Sequence, residues 1–216
     1  MATTIPNHSI LPLEESDIPS LARHVQASKL ELSINRFLWK DWPNEAGQAV
    51  NSRQAIEGSF ARSDSDRFKV VKDDTGEIVG HLVITHKRPV PQEEGGNPVK
   101  PEVQKEMNPE ILDWVIRASA SNQKLVKDRE HLVITHFYVA PSSRKQGIAS
   151  SLIRLVIQKG KEAALPVFAG VEPQALSLLL AHGFKEIGYS DIDLSKFAPE
   201  NCGWGVFRLT AVILEH

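Results

Sequence analysis

The 216-residue chain is short of most groups that announce a specialised chemistry. Its one cysteine, Cys202, excludes an internal disulfide and any zinc site built on several thiolates. No run approaches the roughly 18 apolar residues of a membrane-spanning helix. The purest stretches are as short as Leu178-Leu179-Leu180-Ala181. Met1 to Pro12 carries neither a basic leader nor a long apolar segment. No signal peptide is therefore expected, and the protein is read as soluble and cytoplasmic, with no membrane partner. An excess of charge of one sign is missing too. The 25 Lys+Arg against 27 Asp+Glu leave a net charge of -2, which argues against a nucleic-acid partner held by bulk electrostatics. Any anionic ligand must be held by a local device. There is no Gly-x-Ser-x-Gly elbow and no P-loop.

What remains is an ordinary globular composition, 41% hydrophobic and 24% charged. The length predicts one domain over residues 1–216 with an insertion. Ser9 to Leu13 reads as an edge strand because Pro12 removes a ladder donor. Ser16 is expected to N-cap a helix with Pro19 in its first turn. Ile34 to Ala61 reads as mostly helical, broken near Trp42-Pro43. Arg67 to Lys72 and Glu77 to His86 flank Asp73-Asp74-Thr75-Gly76, a hairpin signal. Residues 88–129 break the rhythm and read as an insertion, a candidate lid. Within it, Pro89 to Pro101 is a loop, and Asn108-Pro109-Glu110 opens a helix with Ile111, Trp114, Val115 and Ala118 on one face. Ser119 to Lys127 is left unassigned.

The C-terminal half is clearer. His131 to Pro141 reads as a strand, Ile148 to Ala164 as a helix, and Leu165 to Val171 as a strand. The helix carries an apolar stripe of Ile148, Leu152, Leu155, Val156 and Ala163. Pro173 to His182 is a helix stopped by Gly183, and Phe184 to Ile187 and Trp204 to Leu214 close the sheet. The whole predicts an α/β (α+β) sheet with helices on both faces. The string HLVITH occurs at His81–His86 and His131–His136, but its flanks do not match. Two buried strands drawing on the same β-formers explain it better than a repeat. Its histidines are five apart and are expected on opposite faces of a regular strand, so no metal site is expected.

The informative segment runs from Val139 to Ala149. A strand ends, and a loop carrying Arg144 and Lys145 enters a helix whose start holds Gly147 and Ala149. Small residues let a ligand approach the backbone, and the helix N-terminus offers unpaired N–H groups and a positive dipole end. An anion site and an ordinary capped turn with solvated cations both fit this pattern.

The segment Arg144-x-x-Gly147-x-Ala149, after a strand ending Phe137-Tyr138-Val139-Ala140-Pro141, resembles the acetyl-CoA-binding motif of the GNAT superfamily of N-acetyltransferases. Downstream, a strand over Pro166 to Val171 and a helix ending in Gly183-Phe184 resemble the family's next two elements. The resemblance implies a GNAT fold, a mixed and mostly antiparallel twisted sheet of six to seven strands. It also implies an enzyme that moves an acetyl group from acetyl-CoA directly to a primary amine, with no metal. Phe137 and Val139, with Tyr138 between them, would bind the pantetheine arm. The amides of Gln146, Gly147, Ile148, Ala149 and Ser150, with Arg144 and Lys145, would cradle the pyrophosphate.

Transfer to an amine needs a proton acceptor, an oxyanion donor and a source of protons for the thiolate. The resemblance gives the oxyanion role to the Val139 N–H. Family relatives often place the base three to six residues before that valine. There only His136 titrates near neutrality, so it is the candidate base or relay, with Thr135 lining the substrate site. A strand histidine satisfied by its neighbours remains the alternative. Trp39, Trp42 and Trp114 are candidates to line the substrate pocket, with core packing the alternative for Trp114. The family's tyrosine acid falls on Leu179, a departure, leaving water, Tyr138 or Ser177 as proton source. The expected substrate is a small-molecule amine, with a protein N-terminus or lysine the alternative. A non-catalytic acyl-CoA-binding regulatory module is the second reading. The oligomeric state is left at monomer or homodimer.

Overall fold

The computed structural model describes residues 5–89 and 105–216. Strands His8–Pro12 (β1), Ser65–Lys72 (β2), Ile78–Lys87 (β3), His131–Val139 (β4), Val167–Val171 (β5), Lys185–Asp193 (β6) and Val206–Leu214 (β7) form one sheet. Their order is β1-β2-β3-β4-β5-β7-β6. Every neighbouring pair is antiparallel except β4 and β5, which run parallel. The helices are Ile18–Leu30 (α1), Ser33–Leu38 (α2), Glu45–Phe60 (α3), Pro109–Lys124 (α4), Ile148–Ala163 (α5) and Pro173–Ala181 (α6). This is the mixed, mostly antiparallel α/β sheet that the sequence predicts. The loop expected over Pro89 to Pro101 lies, after Pro89, outside the described residues.

α5 and α6 cover one face of the sheet. Leu152, Ile153 and Val156 of α5 are buried with Leu82 and Ile84 of β3, Val167 of β5 and Val212 of β7. The expected stripe on α5 stops at Gly160; Ala163 is exposed because the helix has run past the sheet. α1, α3 and α4 lie over the other face. Leu21 of α1 and Ile56 of α3 share one small core, and α2 and α4 build another from Ile34, Leu38, Ile111 and Phe207.

Several expected boundaries move. Ser16 does not cap α1. Glu14 and Asp17 close a reciprocal box around a short 3-10 turn, the Glu14 amide donating to Asp17 Oδ2 at 2.9 Å. Carboxylates outdo a hydroxyl there, since a helix start favours negative charge. α4 absorbs most of the unassigned segment and runs to Lys124. Its start is as expected, with the Asn108 side chain accepting from the Glu110 amide. β6 extends to Asp193, well beyond Ile187. It is an edge strand whose side chains are mostly half-buried or exposed, so no apolar alternation marks it. Gly183 does stop α6, at φ +90°, a left-handed conformation that glycine adopts without Cβ strain.

Two irregularities position everything that follows. β4 and β5 pair only at Leu132↔Val167 and Val133↔Phe168, and then part. On its other edge β4 slips register against β3, where Val83 faces His136 but Ile84 faces Ile134. Thr135 is the extra residue, so β4 carries a bulge there.

Leu152 is fully buried at the centre of the larger core. Leu152→Ala is expected to lower unfolding free energy by about 3 kcal/mol, measured as a shift in the urea midpoint at unchanged slope.

Candidate functional site

Because a strand's residues alternate their backbone groups between its two edges, the free edge of β4 can be read from one bond. The Ala140 N–H donates to Val79 O on the β3 side at 2.8 Å. The backbone groups of Val139 and Phe137 therefore point the other way, into the gap that β5 has left. A ligand running along that gap meets a ready half-ladder of donors and acceptors.

At the far end of β4 the chain turns through Pro141–Ser143 and enters α5. Lys145 at φ +63° and Gly147 at φ +82° both take the left-handed conformation. Gly147 is the N-cap of α5 and offers no side chain, so the first-turn amides of Ile148, Ala149 and Ser150 keep their donors free of a side-chain cap. Arg144, Lys145 and Gln146 are exposed around this end. Arg144 is already engaged. Its guanidinium donates to Val139 O at 3.3 Å and pairs with the Glu31 carboxylate at 2.9 Å, tying the loop to the residue that follows α1.

Two cavities meet beside the bulge. The smaller, about 160 Å³, occupies the gap between β4 and β5 and is lined by Phe137, Tyr138, Ala175 and Leu179. The larger, about 990 Å³, lies under α2 and α4 and is walled by Trp39, Trp114, Phe168, Phe207 and Met107. Thr135, His136 and Gly170 line both. So do Lys29 of α1 and Glu172 at the start of α6, whose 2.5 Å ion pair spans the junction.

The predicted site residues thus fall into one region. Thr135 and His136 stand at the junction, Phe137 and Tyr138 along the narrow gap, Val139 and Arg144 through Ser150 at its outer end. Trp114 does both jobs weighed for it. It packs against the α2–α4 core, donates from Nε1 to Asp191 O at 3.1 Å, and lines the large cavity. Trp39 joins that wall, whereas Trp42 packs with the core beside it. Ser177 is exposed on α6 and lines neither cavity. Cys202 is exposed and also lines neither.

One expectation is overturned. His131 and His136 do not lie on opposite faces, because the bulge inserts one residue between them and restores their parity. Both face the α1 and α4 side, His131 against Phe168 and His136 against His81. On β3, which is regular between them, the expectation holds: His81 is buried on that same side, whereas His86 reaches Glu130 at 2.7 Å near the surface. Among the described residues no group of His, Cys, Asp and Glu is arranged to hold a metal ion. The sequence reading missed His24, Lys29, Glu31 and Glu172. Only Glu172, at a strand-to-helix turn, had a local signal.

A family model described as the Acetyltransferase (GNAT) family matches residues 32–184. Solved structures agree in fold. Arylalkylamine N-acetyltransferase 2 from Aedes aegypti superposes with a TM-score of 0.67 at 12% identity, covering 97% of this chain and 99% of that one. An agmatine N-acetyltransferase variant gives 0.64 at 13% identity, covering 97% and 100%. A histone acetyltransferase and related acetyltransferase from Corynebacterium glutamicum gives 0.58 at 18%, covering 97% and 96%. No curated protein matches the chain.

The electrostatics of the junction come from burial. His24, His81 and Tyr138 stack, with ring centroids 4.7 Å to 5.8 Å apart, and His136 tilts against His81 at 6.4 Å. Neither ring nitrogen of His81 meets a hydrogen-bond partner among the described residues. Desolvation, reinforced by the neighbouring imidazoles, pushes His81 down to about 3. Desolvation and the Lys29 charge push His136 down to about 4. Both are neutral at pH 7. An unfolded histidine titrates near 6.5, so below that value the unfolded chain binds more protons than the folded one. Stability is therefore full above about pH 6.5 and is lost progressively as pH falls towards 4 and then 3. Imidazole C2–H resonances of both residues are expected to stay at their neutral shifts from pH 8 to about pH 5, which an NMR titration reads directly.

Proposed function

The chain belongs to the acetyltransferase (GNAT) family, and from that premise we propose that it transfers an acetyl group from acetyl-CoA to the primary amine of a small, largely apolar molecule. The observation that carries this reading is the meeting of the two cavities at Thr135 and His136. The narrow gap suits a linear arm, and the wide cavity suits a separate molecule with a ring or alkyl body. Trp39, Trp114, Phe168 and Phe207 supply its apolar contact. The amines named for the arylalkylamine and agmatine N-acetyltransferase neighbours favour a small molecule over a protein terminus.

The residues present fit the coenzyme. Phe137 and the Val139 N–H turn backbone groups into the gap, the α5 first turn presents uncapped amides, and Lys145, with Arg144 once Glu31 releases it, adds charge at the outer end. Bound there, the coenzyme supplies an acetyl thioester. The protein contributes position and proton handling. The Val139 N–H is the donor available to a developing oxyanion along the gap. His136, neutral across the working range, accepts the proton of the attacking amine, though its depressed basicity limits the driving force. Tyr138 is the better placed of the two side chains that are candidate proton sources. It lines the narrow gap, and burial raises its pKa, so the phenol keeps its proton to donate.

Leu179, buried where family relatives often carry a tyrosine, favours a second reading, an acyl-CoA-binding module with little turnover. The two separate in one assay. Incubated with acetyl-CoA and a panel of aryl and alkyl amines, the enzyme is expected to release free thiol in proportion to acetylated amine. Tight CoA binding with thiol release no faster than solvent hydrolysis across the panel would establish the module instead. His136→Ala is expected to cut kcat/KM roughly a hundredfold. With His136 neutral, the wild-type profile should show no histidine inflection between pH 6 and 7, and an unchanged rate in the alanine variant removes His136 from the reaction.

A further inference from the structure

A line of hydroxyls runs through the sheet from the protein surface to the junction of the two cavities. Asp64, just before β2, accepts from Arg62 Nε at 3.0 Å, and that guanidinium holds its carboxyl below the usual carboxylate range. An ionised carboxylate accepts hydrogen bonds and donates none. The Ser65 hydroxyl donates to it at 3.3 Å. Ser65 has a single proton, so its 3.0 Å contact with Thr85 Oγ1 must be one it receives. Thr85 has then spent its own proton, and its 2.7 Å contact with Thr135 Oγ1 is likewise received. Thr85 is 2% exposed, so solvent offers it little as an alternative partner. The direction of each bond follows from the charge at the end of the row.

The last member is the bulged residue. Thr135 is exposed to both cavities and stands next to His136. Its proton is committed to Thr85, which leaves only oxygen lone pairs for a ligand. We infer that Asp64, acting through Ser65 and Thr85, locks the Thr135 hydroxyl as an obligate hydrogen-bond acceptor that receives an N–H of the substrate amine. The inference rests on the acetyltransferase reading for the identity of the ligand, but the locked polarity stands on the hydrogen bonds themselves. Ser65 and Thr85 are positioning residues, since they reach the ligand only through Thr135. The arrangement admits a group that donates, such as an amine, and leaves a group that can only accept facing an oxygen.

The test compares two probes with the same phenethyl body by calorimetric titration of the full-length protein: phenethylamine, which carries N–H donors, and 2-phenylethyl methyl ether, whose oxygen can only accept. The wild type is expected to bind the first at least about tenfold more tightly than the second, the low end of what a hydrogen bond to a charged group contributes. Thr135→Val, which removes the acceptor, and Thr85→Val, which frees the Thr135 proton to be donated to the ether, should each narrow the ratio of the two Kd values by about fivefold or more, and Thr85→Ser, which keeps the hydroxyl, should restore it. A role confined to packing weakens both probes equally and leaves the ratio unchanged in Thr85→Val, which overturns the inference. So does a wild type that shows no preference or binds neither probe. Thiol release from acetyl-CoA is followed in parallel. A ratio that collapses in the valine variants while the wild type acetylates no amine of the panel upholds the locked hydroxyl and refutes the acetyltransferase reading. Acetylation with a ratio indifferent to Thr85 does the reverse.

Discussion

The structure depends on the place where β4 and β5 stop pairing. A parallel pair that ends after two residue pairs leaves one edge of a central strand without its partner. Buried backbone groups do not go unpaired cheaply, so such a parting persists only where something else takes up the donors and acceptors. Here the flanking pairs hold it open. β4 remains laddered to β3 along its length, and β5 to β7, so neither strand is free to close the gap. Each strand is anchored on its far side. The narrow cavity, the backbone edge that Phe137 and the Val139 N–H turn towards it, and the approach to α5 are all consequences of that geometry.

Much of the fold was legible in the residues, because most of its elements obey local rules. The hairpin of β2 and β3 follows from β-branched runs around Asp73-Asp74-Thr75-Gly76, and the loop into α5 from Arg144, Gly147 and Ala149. What was not legible falls into two kinds. The bulge at Thr135 breaks the two-residue period on which any reading of a strand's faces rests, so His131 and His136 were assigned opposite sides that they do not have. The contributions of His24, Lys29 and Glu31 come from α1 and the residue that follows it, more than a hundred residues from the groups they join. No local pattern encodes that meeting; it is created by packing α1 across the sheet.

The same packing makes one set of side chains serve two ends. Trp39, Trp114 and Phe207 belong to the core that holds α2 and α4 together, and they also wall the wide cavity. A cavity lined by core residues keeps its shape without a ligand, at the cost of apolar contacts that a filled core would have made. The buried histidines beside it add a second cost, since imidazoles without full hydrogen bonding are held in a poorly solvating place. Stability is given up at the junction of the two cavities, where a preformed site has chemical value.

The ion pair between Arg144 and Glu31 has a consequence for which anions the loop can retain. On the coenzyme reading proposed above, with the guanidinium already paired to Glu31, the loop would act as an ion exchanger with a threshold. A singly charged anion that displaces the Glu31 carboxylate trades one exposed pair for another and gains almost nothing. A diphosphate can take the guanidinium and still have charge left for the amides at the start of α5. On that reading, selectivity for a diphosphate over singly charged anions would be set by a counter-ion that the protein carries with it.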